Sequence, residues 1–301
     1  MAAERTLRTI AIATDFSENA MAAFAWALEI ARQQRSELVV VHALLPATPP
    51  APEFVQMPER YYRDVRDEAR ARLEALMAEV RPAGLSISVE LVVGATAPGI
   101  LAASGKRHAE LLVVGTRGLT GWKRIVLGST AAQVVRDAQL PVLTVHPADG
   151  RRASAPRTIL VPTDFSSDAW LATETALRLL SPAEAGRLVL LHAYRLAGGT
   201  SARHDAHDAS DAIAESERAA RGAVDALAKS FVRPNLAVET VVAVGLPAQL
   251  VVEHATRFDA DLVAMGTHGR SALERLWIGS TAERVIASAP CPVLTVRAPR
   301  T

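Results

Sequence analysis

Cysteine is all but missing from this chain. Cys291 is the only one, so no intrachain disulfide can form and a reducing compartment is the expected setting. Set among Ala289, Pro290, Pro292 and Val293, its thiol reads as a small buried hydrophobe rather than a reactive group. Long apolar runs are missing too: no window of about 18 uninterrupted apolar residues suggests a transmembrane helix. Met1-Ala2-Ala3-Glu4-Arg5 lacks the basic-then-apolar layout of a secretory signal, so the expectation is a cytoplasmic protein. Neither sign of charge dominates, since 33 basic and 32 acidic side chains leave a formal charge of +1. Gripping nucleic acid through its phosphates calls for a basic excess or patch, and none is evident. With 50% hydrophobic and 22% charged residues, the composition also argues against wholesale disorder. A chain of 301 residues has room for two domains of about 150 each.

What the sequence does contain is one unit written twice. Thr14-Asp15-Phe16-Ser17 returns as Thr163-Asp164-Phe165-Ser166, and Val41-His42-Ala43 as Leu191-His192-Ala193. Further on, Val93-Gly94 returns as Val244-Gly245, and Gly115-Thr116-Arg117-Gly118 as Gly266-Thr267-His268-Gly269. Gly128-Ser129-Thr130-Ala131 and Pro141-Val142-Leu143-Thr144-Val145 recur as residues 279–282 and 292–296. The offset drifts only from 149 to 151 across the unit, so an ordered series links two homologous domains. They are expected at 1–147 and 156–301. The Pro-, Gly- and polar-rich stretch between them, 147–156, reads as an exposed linker.

Within each half, short β-branched apolar runs alternate with longer amphipathic stretches. Strands are expected at 9–13, 38–42, 87–93, 111–114 and 142–145, apolar enough to be covered on both faces. Ser17 can cap a first helix whose Met21, Phe24, Ala25 and Leu28 recur at helical spacing. A charged amphipathic helix is expected at 58–80 with Val65, Leu73, Leu76 and Val80 as its stripe, followed by helices at 98–108 and 129–138. This alternation implies right-handed crossovers and parallel sheets in an α/β fold.

Ligands of such sheets bind beyond the carboxyl ends of the strands, which is where the repeated residues fall. Asp15 and Asp164 follow the first strands; Gly115 and Gly266 close the fourth. Both halves carry Gly-x2-Gly-x9-Gly-Ser-Thr. Gly115 and Gly118 would let backbone approach a phosphate or ribose. Gly128-Ser129-Thr130 opens a helix whose amides and dipole favour an anion. Two copies, each paired with an upstream Thr-Asp-Phe-Ser, point to nucleotide binding rather than to tight turns alone.

On these motifs the chain resembles the universal stress protein family in its tandem form, across roughly residues 6–145 and 156–297. The resemblance implies two tandem doubly wound, Rossmann-like domains, each a five-stranded parallel sheet in the order 3-2-1-4-5. It implies ATP with Mg2+ at each site. Asp15 and Asp164 would reach adenine or ribose, Ala43 and Ala193 would meet the adenine through their backbone, and Val114 and Met265 would lie beside the nucleoside. Gly115, Arg117, Gly118, Gly128, Ser129 and Thr130 would hold ribose and phosphates, mirrored by Gly266, His268, Gly269, Gly279, Ser280 and Thr281. The family often has proline before the Thr-Asp pair; Pro162 conforms and Ala13 does not. It also often has histidine before the second glycine; His268 conforms, and Arg117 supplies a guanidinium instead. Lys123 and Arg124 in the first glycine loop correspond to Glu274 and Arg275 in the second, so the first site is expected to be the more electropositive.

Other features read as structural. His42 and His192 suit a packing or supporting role, and Ser17, Ser166 and Ser181 suit helix caps. His204, Asp205, His207, Asp208 and Asp211 have the chemistry of zinc ligands but lie in a solvated segment with no counterpart in the first half. Trp122 and Trp277 suit lids or interface anchors. The expected function is an adenine-nucleotide-binding sensor or interaction module with no catalytic residue and at most slow hydrolysis or autophosphorylation. Two rivals are an ATP-splitting ligase or nucleotidyltransferase, whose His-x-Gly-His and Ser-Gly-Gly-x-Asp-Ser loops are absent here, and a structural dimerisation protein with vestigial sites.

The last strand-like segment of each half, 141–145 and 292–296, is short and apolar, and an open edge of that kind needs covering. The family resemblance suggests that these edges pair antiparallel, making one chain mimic a homodimer, with further homodimerisation open. Expressed as separate chains, residues 1–150 and 155–301 should therefore fold and associate. Sedimentation showing two folded monomers that ignore each other would overturn the pairing.

Overall fold

The computed structural model describes residues 6–44, 59–80, 84–116, 127–147, 149, 153–180, 185–194, 206–267 and 278–298. The chain divides into two compact units between Ser154 and Ala155. In the first, the order is β1 (Thr9–Ala13), α1 (Glu18–Gln34), β2 (Glu37–Leu44), α2 (Glu59–Val80), β3 (Ile87–Val93), α3 (Thr96–Lys106), β4 (Leu111–Gly115), α4 (Ser129–Asp137) and β5 (Val142–Val145). The second runs β6 (Thr158–Pro162), α5 (Ser167–Leu177), β7 (Gly186–Tyr194), α6 (Ala206–Lys229), β8 (Leu236–Val244), α7 (Pro247–Arg257), β9 (Leu262–Gly266), α8 (Ser280–Ser288) and β10 (Val293–Val296).

Each unit is a doubly wound α/β domain. In the first, parallel pairings give the order β3-β2-β1-β4-β5. Parallel pairings in the second give β8-β7-β6-β9-β10. The 3-2-1-4-5 order thus holds in both. Strand order reverses beside β1 and beside β6, and there the carboxyl ends of β1 and β4, or β6 and β9, open a crevice.

The inner strands are apolar through their central residues because helices cover both faces. Ile10, Ala11, Ile12, Leu38, Val39, Val40, Val41 and Leu111 are fully buried, as are Ile159, Leu160, Val161 and Leu188 in the second unit. The buried face of α1 differs from the expected stripe. Met21, Ala25 and Leu28 are only half-buried, whereas Ala20, Ala23, Phe24, Ala27, Ile30 and Ala31 are buried. The seam is mostly alanine, which lets the helix axis lie close to the sheet, and bulkier side chains flank it. On α2, Leu73 and Ala69 are buried and Val65 and Leu76 half-buried.

The expected linker begins later than its composition suggests. Asp149 is buried: the Trp26 indole donates to its carbonyl at 2.9 Å, and its carboxylate accepts from the His146 amide at 2.8 Å. A buried indole N–H needs an acceptor, and this turn supplies one.

At the opposite end of the sheets from the crevice, one polar cluster is built twice with its charges permuted. In the first unit Glu37 on β2 meets Ser88 on β3 and Arg107 after α3, with Arg107 bonded to both and Ser88 donating to Glu37 at 2.8 Å. The matching positions hold Arg187, Glu239 and Phe258. Arg187 donates to Glu239 through Nε at 2.6 Å and Nη2 at 2.9 Å, and its guanidinium lies 4.8 Å from the Phe258 ring centroid.

The Arg187 hydrogen bonds hold the Glu239 carboxyl below its ordinary value of 4.5. A lowered carboxylate pKa stabilises the fold above the unfolded value, and that contribution disappears as pH falls through the folded one. Because the pair is exposed, the effect is small. Glu239→Gln should therefore lower the midpoint of unfolding slightly near pH 7, with the difference from wild type vanishing on acidification below about 4.5. Equal midpoints across the whole range would show that the pair contributes nothing.

Candidate functional site

The turn from β1 into α1 gives every residue of Thr14-Asp15-Phe16-Ser17 a backbone task. The Thr14 hydroxyl accepts from the Phe16 amide at 3.1 Å, and the Asp15 carboxylate accepts from the Ser17 amide at 3.0 Å. Ser17 caps α1 by accepting from the Ala20 amide at 3.2 Å. Phe16 sits in the left-handed region at φ 62°, which costs a non-glycine residue roughly 1–2 kcal/mol. Its ring is held between His42, 4.8 Å away between centroids, and the Arg72 guanidinium, 5.6 Å away. Thr163-Asp164-Phe165-Ser166 repeats the turn, with Phe165 at φ 63° and amide distances of 3.1, 3.0 and 3.3 Å.

His42 fastens that turn to the neighbouring strand: its Nδ1 lies 2.7 Å from the Thr14 carbonyl, and His192 repeats the contact to Thr163 at 2.8 Å. A carbonyl only accepts, so Nδ1 carries the proton.

Protein crowds both Gly115 and Gly266 on the side where a Cβ would stand. A Cβ on Gly115 would stand 2.7 Å from the Asn19 carbonyl oxygen, and one on Gly266 would stand 2.6 Å from Asp168 Cβ. The first turn of α1, or of α5, therefore lies directly against the end of β4, or of β9. Packing is thus one reason for glycine at position 115, beside the cleft that the same residue lines.

At the start of α4 the N-cap is Gly128, which brings no capping side chain. Its own amide donates to Thr116 at 2.8 Å, so the expected open amides exclude this one. The amides of Ser129, Thr130 and Ala131 take no partner among the described residues. Gly279 and α8 repeat the arrangement, with the Gly279 amide 3.1 Å from the Thr267 carbonyl.

In the first unit these pieces surround a cleft of about 150 Å3. Asp15, Ala43, Val114, Gly115, Gly128, Ser129 and Thr130 line it, together with Thr14 and Ala131 of the repeated motifs, Ala13 just before the first, and Ala20, Thr96 and Ile100, which the motifs did not single out. Thr96 and Ile100 come from the first turns of α3, whose sequence carries no repeated signature; in the second unit Pro247 opens the matching helix. A hollow of this size takes one aromatic ring. Its walls are largely aliphatic, with one carboxylate at Asp15 and an uncapped helix start at α4. The residues present therefore fit a flat base flanked by an anionic group.

In the second unit Asp164, Ala193, Met265, Gly266, Gly279, Ser280 and Thr281 occupy the corresponding strand ends and helix start. Arg117, Gly118, Lys123, Trp122, His268, Gly269, Glu274 and Trp277 lie outside the described residues, as does Ser181. So do the side chains at 204–211, and among the described residues no cluster of metal-ligating side chains occurs. No described helix is long and apolar enough to cross a membrane.

A duplicated, doubly wound domain, with a cleft at the strand-order reversal of its first unit, defines the class, and comparison with known proteins supplies the family. The chain belongs to the universal stress protein family, whose model matches residues 6–146 and again 156–297. A universal stress protein of Mycobacterium tuberculosis is 30% identical over 298 residues, covering 96% of each chain. One from Mycolicibacterium smegmatis is 28% identical over 300 residues, again covering 96% of each. Among solved structures, a universal stress protein from Archaeoglobus fulgidus superposes with a TM-score of 0.70 at 21% identity, covering 96% of this chain and 98% of that one.

The close approach at Gly115 makes a definite prediction. Gly115→Ala forces Asn19 and Ala20 to move, and overpacking of that kind costs about 1–3 kcal/mol in denaturant titration. A variant as stable as wild type would mean that α1 yields without cost.

Proposed function

We propose that this chain is an ATP-binding stress-response protein with one adenine-nucleotide site in each domain, acting as a nucleotide-dependent sensor or interaction module. The observation that carries this reading is the cleft itself: Asp15, the backbone around Ala43, and the uncapped start of α4 converge on a ring-sized aliphatic hollow. Base and ribose enter between Ala43, Val114 and Asp15. Phosphates, with Mg2+, lie toward Ser129 and Thr130, where the helix dipole favours negative charge. The glycine loop of the signature, with Arg117 and Gly118, completes the first site. Asp164, Ala193, Met265, Gly266, His268, Gly269, Gly279, Ser280 and Thr281 form the second.

Chemistry beyond binding is slow on this reading. A phosphoryl-transfer base needs a group able to take a proton from the attacking nucleophile. The two repeated candidates are occupied with architecture: Asp15 with the Ser17 amide, and His42 Nδ1 with the Thr14 carbonyl. The protein is read as cytoplasmic, and its tandem domains as an intrachain pseudo-dimer.

Calorimetric titration with Mg-ATP should give close to two sites per chain. Gly118→Val and Gly269→Val should each remove one, since a branched side chain would fill space a nucleotide needs. A stoichiometry of zero for the folded wild type would refute the proposal.

A further inference from the structure

We infer that His42 and His192 are positioning residues of the two sites: each clamps a strained turn so that the adjoining aspartate faces the cleft. The inference rests on the nucleotide reading above and adds to it a residue pair outside the Gly-x2-Gly-x9-Gly-Ser-Thr signature.

The geometry repeats in every particular. Each histidine sits near the end of the strand beside β1 or β6, and its Nδ1–H donates to the carbonyl just before the aspartate, at 2.7 Å to Thr14 and 2.8 Å to Thr163. The same ring lies against the phenylalanine just after the aspartate, with centroids 4.8 and 4.7 Å apart. Both neighbours of Asp15, and both neighbours of Asp164, are therefore held by one imidazole. The held phenylalanine is the residue with positive φ, the conformation that the chain would most readily leave. Asp15 lines the cleft, while His42, which is not among the lining residues, touches the turn from the adjacent strand. In the second unit Tyr194 stacks on the back of His192, at 6.4 Å and 9° between planes, adding a further support there.

Two polar substitutions separate the clamp from mere bulk. Asparagine places an amide N–H the same number of bonds from the backbone as Nδ1, so His42→Asn can keep the bond to Thr14. Glutamine places it one bond farther, so His42→Gln loses it. Mg-ATP titration should show one of two sites weakened about ten-fold in His42→Gln, one hydrogen bond's worth. In His42→Asn most of that loss should be restored. The second site, with His192 untouched, is the internal control. Because His42 acts through Asp15, adding His42→Gln to Asp15→Ala should weaken the site no further. Thermal melting of each variant reports folding separately.

Wild-type affinity in His42→Gln, or equal loss in His42→Gln and His42→Asn, would overturn the clamp. So would full additivity with Asp15→Ala. Two normal sites in the wild type accompanying any of these results would leave the nucleotide reading standing. No binding to the folded wild type would remove that reading, and this inference with it.

Discussion

The first turn of α1 presses so closely on the end of β4 that Gly115 has no room for a Cβ, and Gly266 is crowded in the same way by α5. This contact sets the rest of the crevice. A helix starting that near the sheet must leave β1 through a sharp corner, and the left-handed Phe16 provides it. The corner then requires its own fastenings, which Thr14, Asp15, Ser17 and His42 supply. Thr14 and Asp15 both brace the backbone of the turn and border the cleft. Site and scaffold are thus built from the same atoms, and a change that loosens one is felt by the other.

Comparison of the two units separates what this constraint fixes from what it leaves open. Asp168 on α5 accepts from the Ala298 amide at 3.0 Å. Its counterpart is Asn19, and the residue corresponding to Ala298 is Pro147, which has no N–H; the Asn19 side-chain oxygen is buried without a partner among the described residues. The cluster at the far end of the sheets has exchanged Glu37, Ser88 and Arg107 for Arg187, Glu239 and Phe258 while keeping a cation bonded to a carboxylate. Only complementarity matters there, so charges have moved among positions. At the turn, by contrast, all four residue types are retained: threonine, aspartate and serine each accept from a turn or helix amide, and the phenylalanine ring packs on the histidine.

Strand order, crossover pattern and the convergence of seven first-site residues were legible from period, repeat and family resemblance. What the pattern misplaced was the buried face of α1, since alanine carries little weight in a hydrophobic stripe yet lies deepest where helix and sheet are closest. The burial of Asp149 was hidden as well: a Pro- and Gly-rich composition reads as exposed linker, and only the fold shows that the Trp26 indole needs that carbonyl. Thr96 and Ile100 were invisible because they reach the cleft from α3, whose sequence is not repeated at those positions.

The two repeated motifs consequently carry unequal weight. Thr-Asp-Phe-Ser would recur in any pair of domains that shared this corner, ligand or no ligand, and Gly115 and Gly266 would recur with it. The Gly-Ser-Thr at the start of α4 and α8 is different. Gly128 and Gly279 have a structural task in bonding back to Thr116 and Thr267. Ser129 and Ser280 are exposed, and neither those hydroxyls nor those of Thr130 and Thr281 bond to any described residue. Serine and threonine are not the best helix formers, so two copies of both at uncapped helix starts have no rationale in folding alone. An anion held by the amides and hydroxyls of that first turn supplies one. The strength of the nucleotide reading therefore lies in a pair of hydroxyls that bond to nothing among the described residues.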